Sequence, residues 1–396
     1  IINMQEELDS KKILDLIDGG KNRGFNENDS VDKYDGRFTP VIDFPNFLMH
    51  VLRIYLEEYD DGRFQNIPLD EKTLLNDFGD QWNKEKVIKF IDVLLSCRYL
   101  FDKYVIKSST LRSEDEHWSL WNIVKGSSNN YYYKNTFDSD KSESNDTEAN
   151  EKTKDAIMLL SMFHVSNPSR IYKNWLYAVL RWLFDKKDDI KQSDYIKFLK
   201  ELCDKFYFGN NCQGKDITEI ILDNVEVEFE FKFKFNLGSK ESSEYKKYWD
   251  RGVNVPNFVF NRLDYQLWEL PNEKVKNLLK NDEWLTDNTK DAIWKKFRFT
   301  FRSSVEHHYP QHPSVGDELE SGLNDFGNLY LLSQSKNSSL GNSSPEEKKK
   351  HYRNNEYDSL KQAIMMNYNE WTEREIKEHG EKMIEILNQP LSKANS

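Results

Sequence analysis

From Phe44 onward, apolar residues recur at three- and four-residue steps. Phe47, Leu48, Val51, Leu52, Tyr55 and Leu56 predict a helix with Pro45 in its first turn. A second helix is predicted from Lys84 to Tyr104, with Val87, Ile88, Ile91, Leu94, Leu95 and Tyr99 on one face. Helical patterns return at 155–165, 171–186, 193–207 and Glu273 to Lys280. Between them, residues 138–153 (DSDKSESNDTEANEKT) hold almost nothing apolar and read as a mobile acidic loop. Residues 225–235 (VEVEFEFKFKF) alternate strictly. They predict a strand that covers a core, although such a face could also stack nucleic-acid bases. Residues 1–40 read as a short helix and a connector.

The C-terminal quarter changes character. Phe297, Phe299 and Phe301 alternate with Lys296, Arg298 and Arg302, which predicts a strand running toward Glu306-His307-His308-Tyr309-Pro310. A polar loop follows, then a second apolar strand in FGNLYLLSQSKN. Ser344-Pro345-Glu346-Glu347 has the form of a capping box and opens a helix through Lys348. The fold expected is mainly α with small β elements: a helical region over 1–290 and a strand–loop–strand–helix domain over 291–396.

Composition narrows the function. With 396 residues the chain is long enough for two or three domains. Its net charge of −12 gives no general pull on nucleic acid, so any such binding needs a local basic surface. From Lys295 to Lys361 ten Lys/Arg stand against nine Asp/Glu, a nearly neutral window in an acidic chain. Cys97, Cys203 and Cys212 have no metal-type spacing and read as reduced thiols of a cytoplasmic protein. No apolar run is long enough to span a bilayer, and no signal peptide is visible. The start at Ile1-Ile2-Asn3 reads as a trimmed end or the later part of a longer protein.

Candidate chemistry gathers in the last segment. Hydrolysis of a phosphodiester needs an activated water and a way to hold charge on phosphate. A neutral histidine can take the water proton, and a carboxylate with an Asn carbonyl supplies hard oxygens for Mg²⁺ or Mn²⁺. Glu306, His307, Asn328 and Asn337 are of these types. His50 and His164 lie in apolar helical patterns and read as packed, and His117 as a surface residue.

The wording of the segment resembles the His-Me finger (HNH) superfamily, whose ββα-metal unit carries Asp/Glu-His-Ile-x-Pro on its first strand. It is most similar to the C-terminal domain of GmrSD-type modification-dependent restriction enzymes. Glu306-His307-His308-Tyr309-Pro310-Gln311, Gly327-Asn328-Leu329-Tyr330-Leu331-Leu332, Asn337, Asn342, Lys348 and Trp371-Thr372 match that pattern. His308 stands where the family has Ile, and His379 where it usually has Arg.

The resemblance implies a divalent-metal-dependent DNA endonuclease in bacterial defence against foreign or modified DNA. His307 would be the general base, with Glu306 and Asn337 holding Mg²⁺ or Mn²⁺. Asn328 would fix the loop that orients the histidine, and Lys348 would be a phosphate contact or a structural cap. Lys336 and His312 are further candidates for DNA contact, and the run Lys348 to Arg353 is either that or a solvated helix face. The full-length relatives begin with a nucleotide-hydrolysing domain marked by Asp-Gly-Gln-Gln-Arg. Asp18-Gly19-Gly20-Lys21-Asn22-Arg23 departs from that pattern, so the domain is expected to be missing here. The rival readings are a non-catalytic DNA- or partner-binding module on the same fold and a nuclease acting on RNA.

Overall fold

A computed structural model describes residues 38–59, 67–79, 82–109, 117–125, 131–137, 147–166, 173–187, 189–208, 249–279, 287–314, 316–333, 342–352 and 357–393. The alternating stretch at 225–235, the short helix expected near the start and the Asp18–Arg23 string lie outside these residues. The described part is mostly helical, with a few small sheets. In chain order the elements are β1 (Phe38–Pro40), α1 (Phe44–Tyr59), α2 (Leu74–Phe78), α3 (Lys84–Tyr104), β2 (Lys107–Ser109), β3 (His117–Ser119), β4 (Trp121–Lys125), β5 (Tyr131–Asn135), α4 (Thr147–Ser166), α5 (Asn174–Lys186) and α6 (Gln192–Phe208). They continue as α7 (Asn257–Glu269), α8 (Asn272–Leu278), α9 (Asp287–Lys296), β6 (Ser304–His307), β7 (Leu329–Leu332), α10 (Pro345–Tyr352), α11 (Leu360–Met366) and α12 (Glu373–Leu387). None of the described helices is long and apolar enough to cross a membrane.

Two expectations change in the helical part. α4 begins at Thr147, inside the stretch read as a loop. Once a helix has nucleated, residues such as Glu148, Ala149, Glu151 and Lys152 extend it through propensity alone, without apolar anchors. α3 spans Lys84–Tyr104 as expected, but it packs on α1 and α5 through Phe90, Val93, Cys97, Leu100, Phe101 and Tyr104. The predicted apolar face is the outer one: Ile88, Leu95 and Tyr99 are each more than half exposed. A helix that is apolar on two sides gives periodicity no means of choosing which side turns inward.

α7 links elements that lie before and after it in the chain. It packs on α4 on one side and on α11, α12 and β7 on the other, and Val259 to Leu267 are all buried. Polar groups inside such a core must be paired. Arg262 meets Asp204 of α6 at 2.8 Å, and Asp204 also accepts from the backbone N–H groups of Leu391 and Ser392. Two turns' worth of contacts are completed by Gln266, which donates to the carbonyls of Ile386 and Gln389.

Asp264 forms the second buried pair. Its Oδ2 receives Arg302 Nη1 at 2.7 Å, and its Oδ1 receives Ser359 Oγ and the backbone N–H of Lys361 at 2.9 and 3.0 Å. Arg302 also donates to Asn261 Oδ1 and to the carbonyl of Asp358. The alternation that runs through Phe297, Arg298 and Phe299 therefore breaks: Phe301 is turned outward and Arg302, expected on the polar face, is buried. The segment before β6 is irregular, because its side chains follow this carboxylate instead of a strand partner.

Removing one partner of a buried pair leaves an uncompensated charge. Asp264→Ala is expected to lower stability by about 3–5 kcal/mol. Urea denaturation followed by circular dichroism would measure it, and a loss below about 1 kcal/mol would show that the pair does not hold the fold.

Candidate active site

The site is built on an antiparallel hairpin, β6 against β7, in which Ser304, Val305, Glu306 and His307 face Leu332, Leu331, Tyr330 and Leu329. The 3-10 turn Phe326–Asn328 leads into β7, and all four residues of β7 are buried. α10 follows with the predicted cap: the N–H of Ser344 donates to Glu347 Oε2 at 2.8 Å and the N–H of Glu347 to Ser344 Oγ at 3.3 Å.

His307 is the last residue of β6 and is almost entirely buried. Its Nε2 lies 2.9 Å from Asn324 Oδ1, a partner in the loop between the strands. Burial holds the imidazole pKa below its ordinary value; the Asn324 bond works against that shift and the Lys348 ammonium works with it. His308, where the family has Ile, does the work of an apolar residue. It is fully buried, its ring lies 4.8 Å from that of Trp371, and burial next to Lys348, Lys361 and Lys349 keeps it neutral.

Asn328 ties these segments together. Its Oδ1 accepts from the N–H of Tyr309 at 2.8 Å and from Trp371 Nε1 at 3.0 Å. Its Nδ2 donates to the carbonyls of Tyr309 and Leu323 at 3.1 and 2.8 Å, and its own carbonyl accepts from the N–H of His308 at 2.8 Å. One amide thus fixes the chain leaving His307, the loop carrying Asn324, and Trp371. Thr372 next to Trp371 is the N-cap of α12, with Glu375 completing a capping box. α12 sits directly on the turn at Gly327: a Cβ there would come within 2.0 Å of the carbonyl oxygen of Ile376, and Gly380 stands opposite.

Lys348 is expected as a phosphate contact or a cap, and its geometry is that of a cap. The side chain is fully buried, and Nζ donates to the carbonyls of His307 and His308 at 2.5 and 3.2 Å. Burial pulls its pKa down to about 8 against the opposing charge of Glu306. Lys361 acts likewise from α11, donating to the carbonyls of Phe326 and Leu329. Glu306 is half-buried, next to His307 and across from Tyr330.

The remaining candidates are dispersed. His312 is exposed and bonds Glu318 at 3.1 Å on the surface. Lys350 and His351 are exposed on α10, while Lys349 donates to the carbonyl of Tyr368. Asn337 and Lys336 lie outside the described residues. Among the described residues no three His, Cys, Asp or Glu side chains cluster as a metal site. The residues not anticipated from sequence are Asn324, Asp264, Lys361 and Gly380. Only Gly380 had a visible signal, as a glycine inside the amphipathic pattern of α12.

The comparisons with known proteins bear on this arrangement. Residues 234–386 match the family described as GmrSD restriction endonucleases, C-terminal domain. That segment is similar to a GmrSD-type C-terminal domain. It takes in α7 with Asp264, the hairpin, α10, α11 and most of α12, so the Asp264–Arg302 pair and the His307 environment fall within the matched segment, while Asp204, the partner of Arg262, lies before it. No curated protein and no solved structure matched the chain.

Gly327→Ala is expected to cost about 1–3 kcal/mol or more, because the added methyl meets backbone and cannot be relieved by a rotamer change. Thermal melts would register it, and an unchanged melt would mean that α12 does not rest on the turn as described. Lys348→Met is expected to lower stability by about 1–3 kcal/mol through loss of charged hydrogen bonds. It should leave the salt dependence of DNA binding unchanged. A drop of about one in that log–log slope would instead mark Lys348 as a phosphate contact.

Proposed function

We propose that the chain is a divalent-metal-dependent endonuclease that hydrolyses DNA phosphodiesters, with His307 as general base, in bacterial defence against foreign or modified DNA. The observation that carries this is an imidazole at a strand end, kept neutral by burial and next to a carboxylate, in a segment whose family is one of restriction endonucleases. On this reading the hairpin and α10 form a ββα-metal unit within a nuclease domain over 291–396, supported by α7 from the helical part. The protein acts in the cytoplasm, together with a nucleotide-hydrolysing domain.

The donor chemistry fits a hard divalent cation. Glu306 sits half-buried beside His307, and its charge already counteracts that of Lys348. Glu306 and Asn337 would hold Mg²⁺ or Mn²⁺, which when bound would neutralise charge on the phosphate. His307 takes a proton from water. The water oxygen then bonds to phosphorus as the bond to the leaving oxygen breaks, and that oxygen departs with the electron pair and is protonated by solvent. Asn328 keeps the histidine's segment in register. His312, Lys336 and the exposed face of α10 are the sites proposed for contact with the DNA backbone.

Plasmid digestion tests the reading. The parent is expected to nick or linearise DNA with Mg²⁺ and not with EDTA. His307→Ala should lose on the order of 10²-fold or more in rate, the scale of general base catalysis, with an unchanged circular dichroism spectrum. Glu306→Ala should also abolish a Mn²⁺-dependent rise in melting temperature. A His307→Ala protein that cuts as fast as the parent would end the assignment.

A further inference from the structure

A histidine can serve as a base through either ring nitrogen, and which one is available depends on what the other is bonded to. We infer that Asn324 is a positioning residue that fixes the tautomer of His307: its Oδ1 holds the proton on Nε2, so that Nδ1 carries the lone pair that accepts the water proton. The inference rests on the nuclease reading and adds to it the residue that makes one nitrogen the base.

The geometry is specific. Asn324 Oδ1 lies 2.9 Å from His307 Nε2, within the range of a good hydrogen bond. A carboxamide oxygen can only accept, so with Oδ1 turned toward Nε2 the hydrogen of this bond sits on Nε2. Among the described residues no hydrogen bond occupies Nδ1. When Nδ1 takes the proton, Nε2–H remains on Asn324, and the same bond then meets a full imidazolium and strengthens.

Both partners are held from their backbones, so this bond is not a chance meeting of two surface groups. His307 is held by the β6–β7 ladder and by Lys348 Nζ on its carbonyl. Asn324 sits in a turn closed by the N–H of Asp325 donating to the carbonyl of Gly322, whose φ of +77° suits glycine. The carbonyl of Leu323, immediately before it, is tied to Asn328 Nδ2. On the far side, Gly252 leaves room that a larger residue would take: a Cβ there would lie 3.3 Å from Asn324 Cβ. Asn328 thus grips the chain directly after His307 and the chain directly before Asn324, and sets the distance between the two side chains.

Asn324 is exposed on a turn, so its replacement should not unfold the domain. The full chain, labelled with ¹⁵N-histidine, is examined by long-range ¹H–¹⁵N correlation, with the His307 signals assigned by their loss in His307→Ala. The expected parent spectrum has a protonated Nε2 and an unprotonated Nδ1. Asn324→Leu should give a mixture of tautomers, and Asn324→Asp, which keeps an acceptor, should restore the parent pattern. In cleavage assays Asn324→Leu should lower kcat on the order of 10²-fold with KM for DNA within about twofold. A parent His307 protonated at Nδ1, or an Asn324→Leu protein with the parent tautomer, would overturn the inference. The spectra decide it even for a protein that cuts no DNA, which would count against the nuclease reading alone.

Discussion

The site depends on a carboxylate that never comes near it. Asp264 lies at the centre of α7, fully buried, and an isolated charge there would cost several kcal/mol. It is retained because three donors converge on it from two other segments: the Arg302 guanidinium just before β6, and Ser359 Oγ with the Lys361 N–H at the start of α11. The carboxylate is at once an ion-pair partner and a helix cap. It fixes Arg302, five residues ahead of His307 and just before β6, and the start of α11, from which Lys361 reaches back to the turn before β7. A strand of four residues has little pairing energy of its own, and here its position is set by the charge at its root.

A second layer of polar bonding acts on the backbone around the histidine. Lys348, Lys361 and Asn328 come from different elements, yet each places its donors on carbonyls of the hairpin or its loop. Irregular chain has backbone groups that no ladder pairs, and inside a core these must find partners. The loop between β6 and β7 is too long for a tight turn, so side chains supply what the ladder cannot. The result is a loop tied at several points, which presents the Asn324 side chain 2.9 Å from His307.

Much of this was legible in the chain. The extents of α1, α3, α6 and α10 followed from periodicity and capping signals, and the strand–loop–strand–helix order followed from a change of period after residue 296. What pattern could not give was direction. The apolar stripe of α3 that looked like a core face is the exposed one, and Arg302 looked solvated by its place in an alternation. In each case the deciding partner is distant in sequence: α1 for Phe90 and Val93, and α7 for Arg302. The same limit applies to the site. His307 and Asn328 could be singled out by the wording around them, Glu306-His307-His308-Tyr309-Pro310 and Gly327-Asn328-Leu329, which resembles a known family. Asn324 could not, since an exposed asparagine in a polar loop has no distinguishing neighbour until the loop is folded back on β6.

The charge count near the site also changes when burial is taken into account. Counted along the chain, the window from Lys295 to Lys361 is nearly neutral. Yet Arg302, Lys348 and Lys361, three of its ten basic residues, are buried and spend their charge on internal oxygens, while no carboxylate of the window is among the described buried residues. Among the described residues of the window, the charge left to solvent is therefore more acidic than the sequence suggests. A polyanion gains affinity by meeting cations that release its counterions, and a protein face of this kind offers few. On the proposed reading, the attraction would come from a divalent ion held near Glu306 or from the exposed Lys350 on α10. On the proposed nuclease reading, such a face would hold DNA weakly without metal, so that binding and cutting would depend on the same ion.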